Sequence, residues 1–175
     1  MKIDGEKNMN ALFIGRFQPF HKGHLKIIQK ISKEYDEIII GIGSSQYGHA
    51  LENPFTINER LTMITKTLDK NDVKNYKIAL IPDIHDPPKW VDYVTSIISD
   101  FDIVITNSPL TKRLFSEKGY QVKKTPLYDR NKYSGEKIRK KIIKNEPWEK
   151  LVPSQVCEII NNINGEERLR KLSKN

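Results

Sequence analysis

Short apolar runs alternate with amphipathic stretches along most of this chain. The four most apolar runs lie at residues 11–14, 37–43, 77–82 and 102–106. Apolar runs of this length are typical of strands that are buried on both faces of a parallel sheet. A more polar run at residues 120–124 is typical of an edge strand. The pattern therefore predicts five strands.

Helical patterns occupy the segments between these runs. They predict helices that begin near residue 23 and that span residues 56–68, 89–98 and 109–119. Thr56 and Glu59 have the spacing of a capping box, in which each side chain binds the backbone N–H of the other residue. Ser108 and Pro109 form a typical helix start, because serine caps a helix and proline is accepted in its first turn. These signals place a helix after each of the first four strands.

The alternation of strands and helices predicts an α/β fold, with a Rossmann-like, doubly wound parallel sheet of about five strands and right-handed crossovers. After the fifth strand the pattern is helical only, at residues 134–144, 153–163 and 166–172. We expect this helical tail to pack onto the same domain, which would span residues 11–175. Residues 1–10 are predicted to be a disordered N-terminal extension.

Length and cysteine content limit the class of protein. A chain of 175 residues has the usual size of one domain and is long enough to bury a core. It contains no apolar run of about 18 residues, so no transmembrane helix is expected, and its first residues lack the apolar segment of a secretory signal. The single cysteine, Cys157, excludes an internal disulfide. These features favour a cytoplasmic protein.

The net charge of +8 raises the alternative of a nucleic-acid-binding protein. The 30 basic residues, however, are spread along the chain and mixed with 22 acidic residues. A protein that binds small polyanions such as nucleotides also needs positive charge. Nucleic-acid binding is therefore not expected as the primary role.

The main candidate for chemistry is the segment that connects the first predicted strand to the first predicted helix. It contains His21 and His24, while Arg16 and Lys22 add positive charge. In a parallel sheet, ligands bind at the carboxyl ends of the strands, and the free N–H groups of a helix start favour an anion. Two imidazoles at such a place can donate hydrogen bonds to the charge that develops in phosphoryl or nucleotidyl transfer.

Two alternatives apply to this histidine pair. Both side chains could be surface residues of a turn. A zinc site needs three or more ligands, and neither His49 nor His85 lies at a spacing that completes a short zinc motif. The glycine between the pair and the flanking basic residues favour a phosphate-binding loop.

A second candidate site lies at residues 133–141. Ser134 can cap a helix, Gly135 allows a backbone to approach closely, and Arg139 follows about one turn later. A helix start with a nearby arginine suits a second group of phosphates. The alternative is a capped surface helix with a basic face.

These motifs carry a resemblance to a known family. His21-Lys-Gly-His24 is similar to the H-x-G-H signature of nucleotidyltransferases, and the ten residues 15–24 resemble archaeal-type nicotinamide-nucleotide adenylyltransferases. The resemblance extends over roughly residues 11–172. It implies the transfer of AMP from ATP to nicotinamide mononucleotide, giving NAD and pyrophosphate, with nicotinate mononucleotide as an open alternative substrate.

The resemblance also implies roles for particular residues. The catalytic residues would be His21, His24, Arg16 and Arg139. The ATP-binding residues would be Gly15, Arg16, Phe17, His21, Lys22, Gly23, His24, Asn107, Arg130, Ser134, Ile138 and Arg139. Nicotinamide mononucleotide would be bound by Ile14, Gly15, His49, Asp83, Ile84 and Trp90, with Trp90 stacked on the nicotinamide ring. Mg²⁺ would be held by the phosphates of ATP and not by a protein metal site.

Several expectations stay open at this point. Relatives of this type are commonly hexameric, so the resemblance implies a homo-oligomer and no membrane partner. Gly48, Ala50 and Ser108 depart from the residues usual in the family, and the consequences do not follow from the sequence. The alternative functions are another H-x-G-H nucleotidyltransferase, such as phosphopantetheine adenylyltransferase, and a non-catalytic nucleotide-binding regulator.

Overall fold

Five parallel strands form one sheet in the computed structural model, which describes residues 9–124 and 132–174. The strands are β1 (Asn10–Gly15), β2 (Glu37–Gly43), β3 (Tyr76–Ile81), β4 (Ile103–Ile105) and β5 (Gln121–Lys123). Their order across the sheet is β3-β2-β1-β4-β5, and all four neighbouring pairs are parallel. The predicted α/β fold and the edge position of the fifth strand are confirmed.

Helices follow the strands as the sequence predicted. They are α1 (Lys22–Glu34), α2 (Ile57–Lys70), α3 (Pro87–Ile97), α4 (Pro109–Glu117), α5 (Gly135–Ile143), α6 (Ser154–Asn162) and α7 (Gly165–Leu172). The predicted capping box is present, because the Thr56 side chain accepts from Glu59 N and the Glu59 carboxylate accepts from Thr56 N. A 3₁₀ turn at Glu149–Leu151 was not predicted.

The two faces of the sheet carry separate apolar clusters. In β1, Ala11 and Phe13 belong to one cluster, while Leu12 belongs to the other, as the period of a strand requires. Helices α1, α2 and α5 to α7 contribute to the first cluster, and α3 and α4 contribute to the second. The helical tail therefore packs on the sheet, with Val156 and Leu169 in the same cluster as Phe13. No helix in the described part of the chain is long and apolar enough to span a membrane.

The first strand begins earlier than predicted. Met9 N donates to the Asp36 carboxylate at 2.9 Å, and Asn10 N donates to the Asp102 carboxylate at 2.9 Å. Residues 9 and 10 thus join the sheet because two carboxylates from neighbouring strand starts accept their N–H groups. Residues 1–8 of the predicted N-terminal extension lie outside the described residues, so the extension stays a prediction.

The strand order creates a crevice beside β1. The chain proceeds from β1 outward to β2 and β3, and then returns to β4 on the other side of β1. At such a reversal the connections from two adjacent strands leave on opposite faces, and ligands bind between them at the carboxyl ends. The loops after β1 and β4 are therefore the part of the fold that positions a site.

Candidate active site

Two cavities lie at this crevice and share Ile14 and Ser108 in their walls. The larger one, here called the Trp90 cavity, has a volume of about 810 Å³ and also contains Arg16 and Asp83 in its wall. The smaller one, here called the histidine cavity, has a volume of about 320 Å³. Its wall includes both histidines of the H-x-G-H motif and the start of α5 at Ser134. The fold thus brings the H-x-G-H motif and the start of the second motif to the wall of one cavity.

The two histidines cap helix α1 reciprocally. His21 is the N-cap residue, and its Nδ1 accepts from the backbone N–H of His24 at 3.3 Å. His24 Nδ1 accepts from the backbone N–H of His21, also at 3.3 Å. The two rings are stacked with centroids 3.5 Å apart. A Cβ at Gly23 would lie 3.0 Å from His21 Nδ1 and 2.9 Å from the Tyr133 Cβ, so glycine is required between the pair.

This arrangement fixes the protonation of both rings. A nitrogen that accepts a backbone N–H carries no proton, so the proton of each neutral imidazole is on Nε2. Burial lowers the pKa of His21 to about 4. Burial also lowers the pKa of His24 well below its usual value, and the neighbouring His21 acts in the same direction. Both rings are therefore neutral donors at pH 7.

Aromatic side chains enclose His24. The rings of Phe17 and Phe20 lie 4.8 and 5.5 Å from its ring, centroid to centroid, and that of Phe13 lies at 6.5 Å. Phe17 is a buried core residue, and its ring meets the His24 imidazole edge to face. Its predicted contact with ATP stays a prediction.

The start of α5 forms one wall of the histidine cavity. Ser134 is the N-cap, with its side chain accepting from Lys137 N. Gly135 approaches the Gln18 carbonyl so closely that a Cβ would lie 2.8 Å from its oxygen, as predicted for a close backbone approach. Arg139 is buried and donates through Nη1 to the same carbonyl at 2.7 Å. Burial and the nearby Arg16 lower the pKa of Arg139.

The Trp90 cavity is closed at one side by two loops that bind each other. The Gln46 side chain pairs with the backbone of Asp83 through hydrogen bonds of 2.8 and 2.9 Å. Tyr47 Oη lies 2.6 Å from Nε2 of His85. Trp90 meets the buried Phe115 ring edge to face at 5.7 Å, which fixes the orientation of the indole.

The structure brings most, but not all, of the predicted site residues to these cavities. Ile14, Gly15, Arg16, Asp83 and Trp90 line the Trp90 cavity, and His21, Gly23, His24, Asn107 and Ser134 line the histidine cavity. Six predicted residues are not among the lining residues: Phe17, Lys22, His49, Ile84, Ile138 and Arg139. Ile138 is instead fully buried in the core, and His49 is exposed. Arg130 lies outside the described residues.

The departures from the family pattern have structural counterparts. Ser108 caps α4, with its side chain accepting from Thr111 N at 3.3 Å, and Asn107 lines the histidine cavity. Gly48 packs against Thr56, where a Cβ would lie 3.0 Å from the Thr56 Cα. A serine at position 48 would therefore force this loop to shift.

Sequence reasoning missed two buried polar residues. Gln18 clamps Phe55 by accepting from its N–H and donating to its carbonyl, each at 2.9 Å. Arg60 is fully buried and donates to backbone carbonyls. The sequence contains no pattern that predicts the role of either residue, because their hydrogen-bond partners are backbone groups. Cys157 packs against the core, and burial raises the pKa of its thiol, which makes it a poor nucleophile.

We predict that His21 makes the free energy of unfolding depend on pH. Its folded pKa of about 4 lies below the usual unfolded value near 6.5, so acid favours the unfolded chain. Its contribution is complete above pH 6.5 and is lost between pH 6.5 and 4, by about 3 kcal/mol. His21→Asn keeps an N-cap acceptor. Between pH 6.5 and 4 its free energy of unfolding, measured with urea, should therefore fall by about 3 kcal/mol less than that of the native protein.

The control for this experiment is His85→Asn. This variant also replaces a histidine by asparagine, but at a side chain that is 70% exposed and lies outside the capping pair. An unchanged pH dependence in His21→Asn would contradict the assigned pKa of His21.

The chain matches known proteins over nearly its whole length. Residues 12–141 match the cytidylyltransferase-like family. The nicotinamide-nucleotide adenylyltransferase of Thermoplasma acidophilum is 48% identical over 171 residues, covering 98% of this chain and 96% of the relative. That of Methanococcus maripaludis is 54% identical over 166 residues, covering 95% and 96%.

A solved structure shares the fold. It is the bifunctional NMN adenylyltransferase/ADP ribose pyrophosphatase of Francisella tularensis, complexed with AMP and a manganese ion, with a TM-score of 0.76 and 22% identity. The similarity covers 94% of this chain but only 52% of that protein. With its sequence matches and its fold, the chain belongs to the cytidylyltransferase-like family and, within it, to the group of nicotinamide-nucleotide adenylyltransferases.

Proposed function

We propose that the protein joins nicotinamide mononucleotide to the AMP moiety of ATP, giving NAD and pyrophosphate. The observation that carries this proposal is the pair of cavities that meet at Ile14 and Ser108. One cavity presents neutral imidazole donors and a helix start, and the other presents an indole ring. Two nucleotides bound there would meet at the crevice beside β1.

The histidine cavity suits the triphosphate of ATP. The N–H groups at the start of α5 face an anion favourably, and the Nε2–H groups of His21 and His24 can donate to phosphate oxygens. Arg16, in the wall of the neighbouring cavity, adds a positive charge between the two sites. Arg139 supports the same region through its hydrogen bond to Gln18.

The Trp90 cavity suits nicotinamide mononucleotide. A planar aromatic base can stack on an indole, and the edge-to-face contact with Phe115 holds the indole of Trp90 in place. Asp83 is held by Gln46 at the rim of the same cavity. We infer that the base lies against Trp90 and that the phosphate of the mononucleotide points toward Arg16.

The reaction needs position and charge stabilisation more than proton transfer. An oxygen of the mononucleotide phosphate attacks the α-phosphorus of ATP, and the bond from that phosphorus to the leaving pyrophosphate breaks. The phosphate has a second pKa of about 6 and is already ionised at pH 7. Neither His21 nor His24 has a free Nδ1 to accept a proton. Both rings can instead donate to the oxygens on which charge develops.

We further propose that Mg²⁺ enters with the phosphates of ATP. Among residues 9–124 and 132–174, no three His, Cys, Asp or Glu side chains are grouped as metal ligands. Mg²⁺ at nucleotide sites commonly keeps several waters and binds phosphate oxygens. The ion would add positive charge at the α-phosphorus and at the leaving group. A homo-oligomeric assembly and a cytoplasmic location stay predictions.

The first prediction concerns the substrate. With Mg-ATP, the protein should form a dinucleotide and pyrophosphate from nicotinamide mononucleotide. Parallel reactions with nicotinate mononucleotide and phosphopantetheine, analysed by mass spectrometry, measure its selectivity. Product from phosphopantetheine and from neither mononucleotide would exclude the proposed function.

The second prediction concerns Trp90. Loss of a stacking contact costs about 1–3 kcal/mol per base, so Trp90→Ala should raise the mononucleotide KM about tenfold and leave the ATP KM nearly unchanged. Trp90→Phe keeps an aromatic face, so its mononucleotide KM should lie between that of the native protein and that of Trp90→Ala. Equal increases in both KM values, with a lower Tm, would assign Trp90 to packing against Phe115 alone.

The third prediction concerns His24. Loss of one donor to developing charge typically lowers kcat by about 10²–10³-fold, so His24→Ala should show that loss with little change in ATP binding. His24→Asn has an oxygen that can accept from His21 N and an N–H₂ group that can donate, so it should retain more activity. Equal inactivity of the two folded variants, measured at saturating substrates, would contradict the donor role.

A further inference from the structure

A buried arginine lies beneath the floor of the Trp90 cavity. Arg60 is 0% exposed and, within residues 9–124 and 132–174, makes six hydrogen bonds, all of them to backbone carbonyls. The partners are the carbonyls of Arg16, Gly43, Ser44, Ser45, Tyr47 and Thr56, at 2.9 to 3.4 Å. These bonds join the ends of β1 and β2 to the loop that follows β2.

The charge of Arg60 is not paired with an acid in the described part of the chain. None of the hydrogen bonds that it makes there goes to a carboxylate. Burial, with Arg16 acting in the same direction, lowers its pKa to about 10, so the group is still charged at pH 7. A buried charge is costly unless hydrogen bonds satisfy it. Six carbonyl dipoles perform that role here.

The carbonyl partners belong to the site. Arg16, Gly43 and Ser44 line the Trp90 cavity. Ser44 has a φ of 47°, which a non-glycine residue adopts only when its surroundings hold it. Tyr47, another partner, binds His85 at the rim. Because Arg60 draws these carbonyls inward, their negative ends point away from the space where an anionic ligand would lie.

We propose that Arg60 is a positioning residue for mononucleotide binding, which it serves by holding the Arg16 backbone and the 43–47 loop in the shape of the cavity floor. This inference rests on the proposed function. Arg60 itself does not line either cavity. Its effect therefore passes through Arg16 and Ser44. It should act mainly on the mononucleotide side, since Arg16, Gly43 and Ser44 line the Trp90 cavity and none of its six partners lines the histidine cavity.

The test compares two Arg→Lys variants. Arg60→Lys keeps the charge but cannot bridge six carbonyls, because an ammonium has only three donors. The control is Arg168→Lys. Arg168 binds the Glu59 carboxylate at 2.7 and 2.8 Å and the Pro54 carbonyl at 3.0 Å, one residue away from Arg60 along α2. Its partners line neither cavity, so the control reports loss of stability alone.

The measured quantities are Tm and the KM values for nicotinamide mononucleotide and for Mg-ATP. The KM values are measured at a temperature below the Tm of both variants. Arg60→Lys should raise the mononucleotide KM at least tenfold and change the ATP KM less than threefold. Arg168→Lys should lower Tm and change both KM values less than threefold. Arg60→Gln, which leaves no buried charge, should show the same selective increase.

Three results would overturn the proposal: unchanged KM values in Arg60→Lys, equal increases for both substrates, or failure of both Arg60 variants to fold. Each result would show that Arg60 stabilises the fold and does not position the mononucleotide site. An assay of the native protein in parallel distinguishes these three results from failure of the proposed function. If it forms no dinucleotide from either mononucleotide, the proposed function fails whatever the variants do.

Discussion

The reciprocal hydrogen bonds between His21 and His24 are the constraint on which the site depends. Each ring accepts the backbone N–H of the other residue, so the first turn of α1 and both imidazoles are fixed together. The bonds leave the Nε2–H of each ring as a donor. Because the same groups cap the helix and face the cavity, the stability of α1 and the geometry of the site have one origin.

The neutral donors of this site line a cavity, whereas two buried cations lie behind the walls of the site. The two imidazoles have lowered pKa values and line the histidine cavity, whereas Arg60 and Arg139 lie behind the walls and hold backbone carbonyls. Arg16 lines the Trp90 cavity, and it acts with burial to lower the pKa of Arg60 and that of Arg139. An anionic ligand near Arg16 would offset the repulsion between Arg16 and each buried arginine.

The sequence predicted β1, β2 and β4 well because most of their residues are buried, and residues 37–43 match β2 throughout. It also predicted the capped starts of α2 and α4, where local side chains satisfy local N–H groups. The start of β1 at Asn10 could not be predicted, since it depends on Asp102, which lies 92 residues away.

The site was predicted less completely than the fold. The H-x-G-H motif and Trp90 were found because their residue types suit phosphates and bases. Arg60 was missed because its partners are carbonyls, which every residue possesses. The hydrogen bond of Arg139 to Gln18, 121 residues away in sequence, was likewise not predicted, and its predicted phosphate contact stays a prediction. Such pairings arise from the tertiary fold and leave no local pattern.

The central claim is that this chain transfers the adenylyl group directly, by position and hydrogen-bond donation, with no residue acting as a nucleophile. The most direct measurement uses ATP of a single configuration that carries sulfur in place of one oxygen on the α-phosphorus. One in-line displacement inverts the configuration, so we predict a dinucleotide with inverted phosphorus. Retention would require two displacements and an adenylylated enzyme, and it would contradict the account.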